Sequence, residues 1–191
     1  MSDQGARPYD RHEPSFLPQK QRMPEKIDFA KIRFLICDPS ALSLTMLGDI
    51  LSMLGANYVR KVNDFEKAMN VLKEGNIDII ITEHDLPAEG GIKLVDYIRH
   101  DPGSRDRMLP VIMLTARSEE QYVIEARDHG INEFVAKPYT VDSLYKRLSM
   151  VIAYPRPYVS ASGYFGPDRR RKQMPFNGKE RRGVDPNAKP S

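Results

Sequence analysis

The chain has 191 residues, a length that suits one domain of ordinary size with added segments. Hydrophobic residues make up 40% of it, slightly low for a fully folded chain, so part of the chain is expected to stay unpacked. The absence of an apolar run of 18 residues argues against a membrane span, and the polar start MSDQGARPYDRHEP argues against a secretory signal. A single cysteine, Cys37, excludes an internal disulfide, and a cytoplasmic protein is expected.

The formal net charge of +3 is distributed unevenly. From residue 154 onward the chain has nine basic and three acidic residues, so this part carries +6 and the remainder −3. A basic tail on a mildly acidic body predicts an anionic partner for the tail.

The chain divides into three parts by composition. Residues 1–26 are polar and include four prolines, so they cannot bury enough apolar area to offset their ordering entropy. Residues 27–154 alternate short apolar runs with longer amphipathic stretches and form the predicted domain. Residues 155–191 show no further periodic element and are predicted to be a basic, arginine-rich tail. Both terminal extensions are therefore predicted to be disordered.

The central part predicts five strands and five helices in strict alternation. The strands are predicted at 32–37, 57–62, 77–82, 109–115 and 133–136. The helices are predicted at 39–54, 64–74, 92–100, 118–130 and 140–153, with caps at Asp64, Ser118 and Thr140. Such an order predicts an α/β fold, a doubly wound five-stranded parallel sheet covered by helices on both faces.

Polar side chains follow four of the predicted strands. Asp38, Glu83, Thr115 and Lys137 come at the ends of the first, third, fourth and fifth strands. Ligand and active sites of open parallel sheets usually lie at this carboxyl edge. Glu83, after the third strand, whose apolar run is broken only by Asp78, is the centre of the predicted site.

This constellation resembles the receiver domain of two-component response regulators, most of all the single-domain chemotaxis type. The segments that carry the resemblance are FLICDPSALSLTMLGDILSMLG, IIITEHDLPAEGGIKLVDYIR, LPVIMLTA and EFVAKPYTVDSL. They cover residues 32–153 and imply the flavodoxin-like receiver fold. The resemblance also implies a switch role for Thr115, Lys137 and the fifth-strand aromatic Phe134, although Phe134 is also an ordinary core residue.

The chain departs from the family pattern at the site itself. Receivers carry two adjacent acids after the first strand and an aspartate phosphoacceptor after the third, whereas this chain has Pro39 and Glu83 there. Phosphoryl transfer to a carboxylate needs a magnesium ion with octahedral oxygen ligands. Pro39 offers no side-chain oxygen, and a nucleophile displaced by about 1 Å can lose on the order of 10²-fold in rate. We therefore expect weak magnesium binding and no phosphorylation.

Two interpretations of Glu83 stay open. In the first, it imitates a phosphorylated aspartate by placing a negative charge near Thr115 and Lys137. In the second, the site has decayed and Glu83 only pairs with Lys137. A rival function is a working phosphorelay regulator, in which a histidine kinase phosphorylates Glu83 or Asp85. The neighbouring His84 has no second ligand at metal spacing, and no metal site is predicted.

The tail carries a weak internal repeat of an aromatic residue, glycine, an acid and two arginines. It spans 164–170 and 176–182 and contains most of the candidate ligand-binding arginines, Arg169, Arg170, Arg171, Arg181 and Arg182. Guanidinium groups bind phosphate and guanine edges bidentately, and Tyr164, Phe165 and Phe176 add stacking surfaces. The alternative is a solvated basic tail with salt-sensitive attraction to any polyanion.

The layout is similar to that of receiver-like bacterial proteins whose arginine-rich extension binds cyclic di-GMP and which act on flagellar motor switch components. The resemblance implies a non-catalytic adaptor, gated by that dinucleotide, with a protein partner on residues 118–153, where Tyr122, Phe134 and Tyr139 are available. No firm cofactor is expected. A nucleic-acid-binding role for the tail ranks lowest, because no DNA-reading helix pair follows the domain.

Overall fold

A computed structural model of the protein describes residues 27–161 and 163–169. The predictions for residues 1–26 and for Arg170, Arg171, Arg181 and Arg182 lie outside this part of the chain. A 3₁₀ turn at Phe29–Lys31 is followed by β1 Arg33–Cys37, α1 Ala41–Met53, β2 Tyr58–Val62, α2 Phe65–Glu74, β3 Ile79–Thr82, α3 Gly90–His100, β4 Val111–Thr115, α4 Glu120–Asp128, β5 Glu133–Ala136, α5 Val141–Ala153, β6 Tyr158–Ala161 and β7 Tyr164–Pro167. None of these helices is both long and apolar enough to cross a membrane.

The first five strands form one parallel sheet in the order β2-β1-β3-β4-β5. Its two faces are covered by different helices, with α1 and α5 on one side and α2, α3 and α4 on the other. The central strands β3 and β4 are buried along their whole length, because helices shield both of their faces. The predicted doubly wound α/β fold is confirmed.

Helix ends follow the sequence signals in most places. The side chains of Asp64 and Thr140 accept hydrogen bonds from backbone N–H groups three residues on, as predicted. The predicted cap at Ser118 is wrong, since α4 begins at Glu120 after Glu119. The helix α3 begins at Gly90, two residues earlier than predicted. Its Gly91 lies against the chain just after β3, where a Cβ would lie 2.1 Å from the Glu83 carbonyl oxygen.

The region after Pro157 departs from the prediction. Residues 158–161 and 164–167 form an antiparallel hairpin, β6–β7, with Tyr158 paired to Pro167 and Ala161 to Tyr164. The prediction of a disordered extension without further elements is therefore wrong for this stretch. Strands of four residues are too short to show a clear alternation of apolar and polar residues, so the sequence pattern did not predict them.

The hairpin packs against the lower edge of the domain, at the amino ends of β4 and β5. The Tyr158 hydroxyl donates to the Met108 carbonyl oxygen at 2.7 Å, and the Phe165 ring lies 4.1 Å from the Arg107 guanidinium carbon. Gly130 and Gly166 bring the two backbones into contact: a Cβ on Gly166 would lie 2.8 Å from the Gly130 Cα. Side chains at these two positions would push the hairpin off the domain.

The hairpin covers an arginine that is fully buried. Arg99, at the end of α3, is 0% exposed and donates to the carbonyl oxygens of Gly130, Arg107 and Leu109 at 2.8–2.9 Å. It also donates to Asn132 Oδ1 at 3.1 Å, and the Tyr158 ring lies 5.3 Å from its guanidinium carbon. Burial lowers the pKa of Arg99. Neutral acceptors and an aromatic face thus surround a buried cation, and Tyr158 forms part of that enclosure.

We expect the hairpin to be part of the folding unit. A chain ending at Ala153 should lose roughly 2–4 kcal/mol of unfolding free energy, because it loses the buried faces of Tyr158 and Phe165 and opens Arg99 to water. A chain ending at Arg169 should unfold like the full protein in urea. Equal stability of all three chains would contradict this assignment.

Candidate functional site

The carboxyl edge of the sheet brings together two acids from neighbouring strands. Asp38 follows β1 and Glu83 follows β3, and the register pairs Cys37 with Thr82, the residues just before them. The Glu83 N–H donates to the Cys37 carbonyl oxygen at 2.8 Å, which extends the ladder to the acid itself. Adjacent parallel strands thus fix both carboxylates side by side.

One lysine joins these two carboxylates. Lys137, just after β5, donates from Nζ to Asp38 Oδ2 and to Glu83 Oε2, each at 2.6 Å. The second oxygen of each acid is also used: Asp38 Oδ1 accepts from the Ser40 N–H and Glu83 Oε1 from the His84 N–H, both at 2.8 Å. The expected pairing of Glu83 with Lys137 is present, and Asp38 shares the same ammonium group.

Burial makes this arrangement electrostatically tight. Asp38 is 4% exposed and Glu83 8% exposed. Burial of Lys137 lowers its pKa, but hydrogen bonds to Asp38 and Glu83 outweigh that effect, and the net pKa is raised. The lysine is therefore held as a cation between two anions.

The other two predicted switch residues, Thr115 and Phe134, lie in β4 and β5, each with its own environment. Thr115, at the end of β4, is 1% exposed, and its Oγ1 accepts a hydrogen bond from the Arg117 N–H at 3.1 Å. Its carbonyl oxygen accepts from the Lys137 N–H at 2.8 Å. Phe134 is half-buried and packs against the core beneath α2, α3 and α4. The structure thus places Thr115 at the site through its backbone.

A cluster that sequence reasoning did not assemble lies beside the site. Asp85 Oδ2 accepts from Arg117 Nε at 2.6 Å, and Arg117 Nη1 donates to the Tyr122 hydroxyl at 2.6 Å. The His84 ring lies 3.0 Å from Asp85 Oδ1, 3.4 Å from Glu125 Oε2 and edge-on to the Tyr122 ring. The hydrogen bond from Arg117 lowers the pKa of Asp85.

We call this cluster of His84, Asp85, Arg117, Tyr122 and Glu125 the loop clamp. It ties the loop after β3 to the β4–α4 loop and to α4. Its members come from segments up to 41 residues apart. No local pattern in a single sequence signals such a contact, although Arg117 and Asp85 were each visible as charged residues near strand ends.

The described residues, 27–161 and 163–169, contain no group of three or more histidine, cysteine or acidic side chains that could hold a metal ion. The site has the two carboxylates of Asp38 and Glu83, and both are engaged by Lys137. Pro39, where a second acid would extend the oxygen set, is exposed. The residues present therefore do not offer the three carboxylates of a magnesium-binding receiver site.

Of the candidate ligand-binding arginines, the described part of the chain includes Arg169. It lies at the opposite end of α4 from the site, with its guanidinium carbon 3.9 Å from the Tyr164 ring centroid and Nη1 3.1 Å from Asp128 Oδ1. The rings of Tyr164 and Phe165, predicted as stacking surfaces, already face Arg169 and Arg107.

Comparisons with known proteins place the domain in a family. The model of the response regulator receiver domain matches residues 34–149. Chemotaxis protein CheY-3 of Vibrio cholerae serotype O1 is 31% identical over 120 residues, which cover 63% of this chain and 91% of that protein. Chemotaxis protein CheY of Pseudomonas aeruginosa is 30% identical over 120 residues, covering 63% and 95%.

The similarity extends to solved structures. The chemotaxis response regulator CheY4 of Vibrio cholerae has a TM-score of 0.58 at 23% identity, covering 63% of this chain and 98% of that one. A beryllofluoride-activated DrrB receiver domain has a TM-score of 0.54 at 21% identity, covering 64% and 97%. These structures show the shared fold.

Substituting the shared lysine tests the charge arrangement. We expect Lys137→Met to cost about 3–5 kcal/mol of unfolding free energy, because two buried carboxylates lose their counter-ion. The control Lys146→Met removes an exposed pair with Asp142 and should change the free energy by less than about 1 kcal/mol.

The same pair of proteins checks the pH dependence. Because the folded pKa of Lys137 is raised, its contribution is fully present below the ordinary lysine pKa of about 10.4 and is lost as pH rises through the higher folded value. The difference between wild type and Lys137→Met in urea unfolding should therefore shrink at strongly alkaline pH. A difference that stays constant there would contradict the raised pKa.

Proposed function

Since this chain belongs to the response regulator receiver family, we propose that it is a pseudo-receiver, a non-catalytic signalling adaptor that acts without phosphorylation. The observation that carries the proposal is the lysine shared between Asp38 and Glu83. In place of an acid pair open to a metal ion, two buried carboxylates are closed onto one ammonium group at 2.6 Å. Glu83 then serves as a fixed charge at the phosphoacceptor position.

Magnesium fits this site poorly, and weak binding is part of the proposal. The metal requires near-octahedral oxygen coordination. Pro39 supplies no ligand, and a cation entering between Asp38 and Glu83 would have to displace Lys137. Displacing Lys137 would also remove both carboxylate hydrogen bonds of its half-buried ammonium group, which adds to the cost.

Whether Glu83 imitates the phosphorylated state or marks a decayed site depends on the β4–α4 loop. The loop clamp supports the first interpretation, because Asp85, Arg117 and Tyr122 fix that loop through charge-assisted contacts within the protein. A loop held in this way needs no phosphoryl group to order it. The output then runs through residues 118–153, where Ile124 and Val141 are each 39% exposed.

We propose that the variable input is cyclic di-GMP, bound by the arginine-rich tail, and that the output is motility through the flagellar motor. Support comes from the tail's charge of +6 and from the repeated pair of arginines, which suits a ligand with two equivalent guanylate halves. The relatives named chemotaxis proteins support a motility role. A cytoplasmic location belongs to the same proposal.

A second candidate is a working phosphorelay regulator, which family membership favours. Glu83 or Asp85 would accept a phosphoryl group from a histidine kinase. Asp85 is the more accessible, with 55% of its side chain exposed, but it is paired with Arg117. This pairing makes it a poor free nucleophile.

Incubation with acetyl phosphate separates the two functions. We expect the intact mass of the wild type to stay unchanged, because the acid pair needed to hold magnesium is incomplete. The double variant Pro39→Asp/Glu83→Asp restores the family's acids and should gain one phosphoryl group as the positive control. A phosphoryl adduct on the wild type that Glu83→Gln abolishes would overturn the pseudo-receiver proposal.

Calorimetry with cyclic di-GMP tests the input. The full chain should release heat on titration, and a chain ending at Arg169, which keeps the whole hairpin, should release none. A matched variant carrying lysine at 170, 171, 181 and 182 keeps the charge but loses bidentate and stacking contacts, so its affinity should fall at least roughly 10-fold. Equal heats for the full and shortened chains, or no heat from either, would rule out gating by the tail.

A further inference from the structure

The face of the domain formed by α3 and α4 has a groove that the site does not use. Its upper cleft, about 560 Å³, lies beside the loop clamp between the start of α3 and Glu125, with an apolar side formed by Leu86, Pro87 and Ile92. Its lower cleft, about 710 Å³, lies between the ends of α3 and α4 and the hairpin, with Tyr164 and Phe165 on one side. His129 and Asp96, which both line the lower cleft, join the two helices at 2.5 Å.

The lining of this α3–α4 groove is acidic. Five carboxylates line it against two permanently basic side chains, Lys93 and Arg107. The carboxylates are Asp85, Glu89, Asp96, Glu125 and Asp128. Arg107 is stacked on Phe165, so its charge lies at the lower end. Asp85 and Asp128 already pair with Arg117 and Arg127, so the groove's attraction for a cationic segment rests on Glu89, Asp96 and Glu125.

The chain leaves the described structure at the lower end of this groove. Arg169, the last described residue, is seated there against Tyr164 and Asp128. The next three residues are Arg170, Arg171 and Lys172. Two residues of extended chain span about 7 Å, and the helical rise from Asp128 to Glu125 is about 4.5 Å. The basic run therefore begins directly after Arg169, and its length covers the distance from Asp128 to Glu125.

We propose that residues 170–172 dock in the α3–α4 groove of their own domain and continue the contact that Arg169 makes with Asp128. The occupant is specified by three features: the chain exit point, the length needed and the complementary charge. Arginines beside Glu125 would contact the loop clamp. The position of the tail would then affect the conformation of the β4–α4 loop. This proposal concerns the protein without ligand and holds whether or not cyclic di-GMP is its input.

A spin label on the full-length protein tests the docking. Gln173→Cys places a nitroxide just beyond the basic run, and Cys37 will not compete for the label because it is 2% exposed and burial raises the pKa of its thiol. At low salt we expect the amide signals of α3 and α4 around Lys93, Asp96, Glu125 and Asp128 to lose most of their intensity. Amides of α1, on the opposite face of the sheet, should keep theirs.

A charge reversal with a matched control completes the test. Glu125→Lys should restore most of the lost intensity, whereas Glu120→Lys, the same change on the same helix but outside both clefts, should leave the broadening in place. Salt near 1 M, where the Debye length is about 3 Å, should also restore the signals. Broadening spread evenly over the domain, broadening centred elsewhere, no broadening, or equal effects of the two reversals would each overturn the docking.

Discussion

The site depends on one ammonium group held between two buried carboxylates. Without the charge of Lys137, Asp38 and Glu83 would be two unpaired anions in a poorly solvated place. The same ammonium group engages one oxygen of each acid at 2.6 Å. Both carboxylates thus have their counter-ion within the chain itself.

The opposite end of the domain holds the base of the tail. Arg99 and Asn132 connect α3, β4, β5 and the hairpin, since Asn132 Oδ1 accepts from Arg99 and from the Val111 N–H and lies 3.2 Å from the Tyr158 hydroxyl oxygen. The tail is therefore attached to a hydrogen-bonded part of the core rather than to a loose end. Between this anchor and the site runs α4, which Arg169 contacts at Asp128 and the loop clamp contacts at Tyr122 and Glu125.

Much of the fold was predictable, because buried parallel strands and amphipathic helices leave strong periodic patterns. The strand at 133–136 was predicted to the residue, and the caps Asp64 and Thr140 were correct. The hairpin was not predictable, because its strands are short and its stability comes from contacts with Arg99, Arg107 and Gly130, far away in sequence. Arg99 lies in the last turn of α3, and no local pattern distinguishes it from a solvent-exposed arginine.

The sequence alone determined the family, the alternation of strands and helices, and the four polar residues at the sheet edge. Each of these depends on local patterns and on positions at strand ends. Only the tertiary structure decided how the charges pair. Lys137 binds Asp38 and Glu83 together, Asp85 pairs with Arg117, and the buried Arg99 lies against the Tyr158 ring. All three contacts depend on distances between segments that are far apart in the sequence. Electrostatic energy depends on those distances and on burial, and neither is encoded at any one position of the chain.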